Sequence, residues 1–85
     1  MPVTNPEKVR KWLSEAREQG ASHMLIITDT NSNKAFTMLV MPGEDPEAIW
    51  ANYPGPRKSV YLARECYKID DDWDEQLALF RVKKF

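Results

Sequence analysis

His23 and Cys66 are the one pair of side chains in this chain that could build a nucleophile, a thiol activated by a neighbouring imidazole. They fall in two segments expected to be adjacent strands. No oxyanion-hole loop accompanies them, and a buried thiol with a half-wet histidine at a strand end is the more ordinary arrangement. No catalytic residue is therefore assigned. The acidic run Asp70, Asp71, Asp72, Asp74 and Glu75 has the alternation that opens a calcium loop. The required turn glycine is missing, however, and the twelfth position from Asp70 is Arg81 where a bidentate Glu belongs. Helix capping and dipole compensation account for these acids, with Arg81, Lys83 and Lys84 balancing them at the far end, so no metal site and no cofactor are expected.

A third constellation is basic and aromatic. Arg57, Lys58, Tyr61, Arg64, Tyr67 and Lys68 lie within twelve residues and form the candidate ligand-binding set, a surface able to follow phosphates and stack bases. Uninterrupted strand parity would place Tyr61 and Tyr67 on one face with Ala63 and Glu65. Lys58, Arg64 and Lys68 would then point the other way, with Val60, Leu62 and Cys66. Recognisable RNA-module motifs are absent, which makes nucleotide or nucleic-acid binding the second reading. Asp29 directly follows an apolar strand; with Asn31 it reads as a turn initiator before it reads as a catalytic acid.

Composition narrows the classes further. The 85 residues carry a formal net charge of -1, 42% hydrophobic and 29% charged residues, so one small globular domain, residues 1–85, is expected. Such a balance offers no global attraction to nucleic acid or an anionic membrane. A single cysteine excludes an internal disulfide and a multi-cysteine metal site. Neither a signal peptide nor a membrane span is visible in the sequence, and a cytoplasmic location is the expectation.

The elements that must position these residues can be read in order. Asn5 caps and Pro6 opens a helix, with Thr4 and Glu7 an alternative capping box; Val9, Trp12, Leu13 and Ala16 form its apolar stripe and Gly20 ends it. Ser22 to Asp29 has apolar residues on both alternating faces, as a strand buried on two sides requires. Thr30 to Asn33 turns the chain into a second strand, Lys34 to Met41. Glu44-Asp45-Pro46-Glu47 starts a short helix through Ile49, Trp50 and Tyr53, which Pro54-Gly55-Pro56 stops. Lys58 to Ile69 is the third strand, and Asp72 with Glu75 caps a last helix whose apolar face is Trp73, Leu77 and Phe80.

The hairpin sets the first two strands antiparallel, and a right-handed helical crossover makes the third parallel to the second. If the third strand pairs with the free edge of the first, the result is an α+β domain, α-β-β-α-β-α. Its small sheet has mixed strand directions and order 2-1-3, with the first strand central and antiparallel to both neighbours.

Gly20-Ala21, His23-Met24, Asp29-Thr30, Pro42-Gly43-Glu44-Asp45, Arg64-Glu65 with Tyr67, and Glu75-Gln76-Leu77 together resemble a family of small bacterial and phage proteins that has no established activity. That family usually has Cys before the Asp-Thr pair, where this chain has Thr28, and an acidic, aromatic turn in place of Asn31-Ser32-Asn33. The resemblance implies a phage or mobile-element accessory protein and carries over no catalytic residue. Three strands expose two faces, and one crossover helix covers one of them. Either the helices divide between the faces, or a second subunit or protein partner closes the open one. The leading expectation is thus a non-catalytic module that binds a protein or small ligand, with homodimerisation through a sheet face. Met24, Met38 and Met41 could supply an adaptable surface for that purpose, although core filling is expected for at least two of them.

Overall fold

The computed structural model describes residues 5–79 and 81–85. Element order is α1 (Pro6–Glu18), β1 (His23–Asp29), β2 (Lys34–Val40), α2 (Pro46–Ala51), β3 (Tyr61–Lys68) and α3 (Trp73–Leu77). The sheet runs β2-β1-β3 and both pairings are antiparallel, so β1 is the middle strand of an α+β domain.

Local chemistry starts and stops the helices. The Asn5 side chain accepts from the Lys8 N–H at 2.8 Å, removing one of the unpaired donors of the first turn. Thr4 and Phe80, which also entered the helix readings, lie outside the described residues. At the other end of α1, Gly20 takes φ +79° and donates to the Arg17 carbonyl while Ala21 donates to Ala16, the paired bonds of a Schellman ending. Asp45 caps α2 through Glu47 N at 3.0 Å, and Asp72 caps α3 through Glu75 N at 3.1 Å. In the hairpin, Asp29 Oδ1 accepts from Asn31 N at 2.9 Å and Asn33 adopts φ +57°. Asp29 is therefore occupied as the turn initiator.

The helices divide between the two sheet faces. Met24 and Ile26 pack with Val9, Leu13 and Ala16 of α1, with Tyr67, Ile69 and Val82, and with partly buried Trp73 and Leu77. Leu25 and Ile27, on the opposite parity, pack with Val40 and Cys66 beneath Ile49, Trp50 and Tyr53 from α2 and its exit. The two-sided apolarity of β1 thus finds cover within one chain: the crossover helix α2 covers one face, and α1 and α3 cover the face left open for a subunit. Each fully buried aliphatic side chain contributes about 1.5–3 kcal/mol, so the consecutive run Met24 to Ile27, 0–1% exposed, is the thermodynamic centre of the domain. Of the other methionines, Met38 packs partly buried against the second cluster, and Met41 remains 38% exposed.

Two sequence expectations need correction at the boundaries. The third strand begins at Tyr61, because Lys58 N and Ser59 N both donate to the Gly55 carbonyl and hold residues 55–59 in a turn. Gly55, at φ +101°, lies against Leu62, and a Cβ there would meet Leu62 Cδ1 at 3.0 Å. The last helix ends at Leu77, so Arg81, Lys83 and Lys84 do not form its final turn. The chain instead crosses to β3: Cys66 N donates to Val82 O at 2.8 Å, Lys84 N donates to Cys66 O at 3.0 Å, and Lys83 forms a parallel bridge with Cys66.

Candidate functional site

The register of β3 decides what its side chains can do together. Ile26 pairs with Glu65 but Ile27 pairs with Ala63, leaving Arg64 as the extra residue of a bulge. A bulge reverses parity for everything beyond it. Tyr61 and Ala63, opposite Asp29 and Ile27, therefore share a face with Cys66 and Lys68, opposite Leu25 and His23. Glu65 and Tyr67, opposite Ile26 and Met24, take the other. The expected sorting, with both tyrosines on one face and Lys68 on the other, is overturned because strict alternation fails at Arg64.

The six candidate ligand residues are consequently dispersed. Tyr67 is 2% exposed and sits in the α1-side core, where its hydroxyl donates to Glu65 Oε2 at 3.1 Å. Burial, followed by the adjacent Glu65 carboxylate, pushes the Tyr67 phenol well above its usual range. Arg57 and Lys58 are exposed in the turn after Gly55, Arg64 is exposed at the bulge, and Lys68 is exposed beside His23. Tyr61 and Lys68 face opposite ends of β1, some ~20 Å apart at the usual strand rise. These positions do not converge on one face or one end of the sheet.

His23 and Cys66 share a face without touching as a dyad. Cys66 stands opposite Leu25, two residues along from His23. His23 Nδ1 lies 2.9 Å from Ser22 Oγ and Nε2 lies 2.8 Å from the Phe85 carbonyl oxygen, while Cys66 Sγ donates to the Lys84 carbonyl at 3.2 Å. Imidazole and thiol thus hold consecutive carbonyls of the C-terminal segment, whose Phe85 ring packs edge-on against Trp50 at 5.8 Å. Burial pushes the Cys66 thiol up to about 12, the reverse of what an activated nucleophile needs.

The acids are similarly committed. Asp72 caps α3, and Asp74 forms an exposed ion pair with Arg10. Among the described residues, no three His, Cys, Asp or Glu side chains converge to hold a metal ion. A shallow cleft of about 240 Å³ runs between Asp71, Asp72, Glu75, Gln76 and Lys84, but the Gln76 amide facing it is spent on the backbone.

What remains as a candidate surface lies at the hairpin end of the sheet. Phe36, opposite Ile27, and Tyr61, opposite Asp29, reach across β1 and meet edge-to-face, ring centroids 5.6 Å apart. Phe36 is 37% exposed and Tyr61 40%, and neighbouring Val60, whose carbonyl accepts from Thr30 N and Oγ1, is 40% exposed. Sequence reasoning named Tyr61 but missed Phe36, because their contact depends on the bulge as well as the hairpin register.

Fold and surface together define a small α+β domain with an antiparallel sheet between helices and an aromatic pair open to solvent. No protein-family model, curated protein or solved structure matches the chain. No helix among the described residues is long and apolar enough to cross a membrane.

Proposed function

We propose that this chain is a non-catalytic accessory module that binds a protein or small ligand through the aromatic surface made by Phe36 and Tyr61. The observation that carries the reading is their edge-to-face pair, more than a third exposed at both rings, in a domain whose central strand is otherwise fully packed. Aromatic side chains left on a surface are the residues that interfaces use as anchors, since they bury large area at low entropic cost. The occupied state of His23, Cys66, Asp29 and Asp72 supports a binding role over a chemical one. An accessory role in a phage or mobile element, as the family resemblance suggests, fits a module of this size.

Panning the folded chain against displayed peptides and a small-ligand panel tests the reading, with Phe36→Ala/Tyr61→Ala as the comparison. Binding lost in the double variant while its thermal unfolding stays cooperative supports it; binding indifferent to both substitutions refutes it. Nucleotide or nucleic-acid binding is the second reading, favoured by exposed Arg57, Lys58, Arg64 and Lys68. It expects salt-dependent binding that weakens in Arg64→Ala, whereas no thermal shift across a nucleotide panel rejects it.

A further inference from the structure

The two edges of this sheet are treated differently by the chain. Along the outer side of β3, Tyr61 O accepts from Gly55 N, Ala63 N donates to Tyr53 O, and Cys66 N and O are taken by Val82 and Lys84. Lys68 N and O are taken by the Gln76 amide, and the Arg64 bulge interrupts the remainder. That edge is closed from end to end by the protein's own residues. The outer side of β2 receives no such cover: among the described residues, Lys34–Val40 pairs with β1 alone. Its sequence, Lys-Ala-Phe-Thr-Met-Leu-Val, has neither proline nor bulge, and its single charge stands at its first position. Protective devices usual for a free edge are thus absent from the β2 side alone.

We infer that β2 is a self-pairing edge: two copies join antiparallel about a two-fold axis at Thr37 and form one six-stranded sheet ordered 3-1-2-2-1-3. This rests on the reading of the chain as a binding module and names the partner as a second copy. The register is self-complementary. With Thr37 opposite Thr37, Phe36 of one copy faces Met38 of the other on the α2 side, a sulfur–aromatic pairing formed twice by symmetry. Ala35 faces Leu39 on the α1 side in the same way, which keeps each sheet face continuous. Charge agrees with this direction. Lys34 at one end of the strand is brought toward the partner's opposite end, where the chain continues into exposed Glu44, Asp45 and Glu47; a parallel pairing would set like charges side by side. A seven-residue strand offers an interface about 23 Å long, whose edge-to-edge contact falls below the ~1,200 Å² of standard specific interfaces and in the range of weak, transient ones. The association is accordingly weak and concentration-dependent.

Sedimentation equilibrium of the full chain from micromolar to millimolar concentration tests this, together with amide hydrogen exchange at both extremes. The expected result is a monomer–dimer equilibrium in which amides of residues 34–40 gain protection with concentration while those of 57–60 do not. Phe36→Lys, at a partly exposed site, should weaken the dimer at least tenfold with the circular dichroism spectrum unchanged. If that variant fails to fold, Lys34→Glu at the exposed end of the strand supplies the same readout. A strict monomer at millimolar concentration overturns self-pairing, as does a dimer unaffected by the folded variant. A monomer that still binds a peptide through Phe36 and Tyr61 overturns self-pairing alone and leaves the module reading standing. A β2-dependent dimer with no other ligand keeps self-pairing and removes the wider reading.

Discussion

Gln76 holds Lys68 by both ends of its peptide: its Oε1 accepts from Lys68 N at 2.8 Å and its Nε2 donates to Lys68 O at 2.9 Å. The side-chain amide acts as a one-residue strand on the outer edge of β3, and it is buried at 2% exposure although polar. Gln76→Ala leaves both Lys68 groups without their protein partner. The expected loss is about 2–3 kcal/mol in urea unfolding, with faster exchange at the Lys68 amide; a change under ~0.5 kcal/mol would mean that water replaces the amide at no cost.

The Cys66 thiol, raised by burial from its ordinary 9.0 to about 12, links stability to alkaline pH. The folded state favours the protonated thiol. The resulting stabilisation is complete below pH 9 and disappears as pH rises from 9 toward 12, where the unfolded chain ionises and the folded one does not. Comparing wild type with Cys66→Ala across that range isolates the effect, and the gap between them should narrow as pH rises. At neutral pH, alkylation of Cys66 should track unfolding, independent of His23→Ala substitutions that preserve the fold.

Arg64 is the spare residue of β3, exposed and without a partner on β1. Arg64→Ala should fall within about 0.5 kcal/mol of wild type, as exposed substitutions do. Deleting Arg64 removes the bulge yet leaves Ala63 opposite Ile27 and Tyr61 opposite Asp29 in a regular ladder, so the deletion variant should still unfold cooperatively and keep the Phe36–Tyr61 contact. A deletion variant that folds but loses the Phe36–Tyr61 contact would refute the parity assignment.

Thr28 has a hydroxyl that is buried with no hydrogen-bond partner among the described residues, at 5% residue exposure. Thr28→Val replaces it with a methyl of similar shape, and stability is expected to rise by about 1 kcal/mol. A loss on this substitution would reveal a bridging group at Oγ1.

Much of this architecture is local in origin and therefore legible from residue order. Asn5, Asp45 and Asp72 sit where helices start because a short acceptor side chain reaches the next free N–H within three residues. The unbroken apolar run Met24 to Ile27 marks a strand with two buried faces, and the hairpin with one crossover then leaves few strand orders. Tertiary structure alone decided the rest. The bulge at Arg64, the seat of Val82 and Lys84 on Cys66, and the use of Gln76 as a strand mimic all depend on partners 8 to 18 or more residues away, or on backbone irregularity that no side-chain pattern encodes.

The candidate site followed the same division. Residue types along the chain picked out Arg57, Lys58, Tyr61, Arg64, Tyr67 and Lys68 as a basic aromatic stripe, but one extra residue in β3 sent the two tyrosines to opposite faces. Phe36 became the partner of Tyr61 through pairings on both sides of β1. Sequence by itself determined which elements form and that β1 must be central, because capping and an unbroken apolar run act over a few residues. Which side chains stay exposed together was decided only when three strands took their registers, since a shift of one residue exchanges the two faces of a sheet.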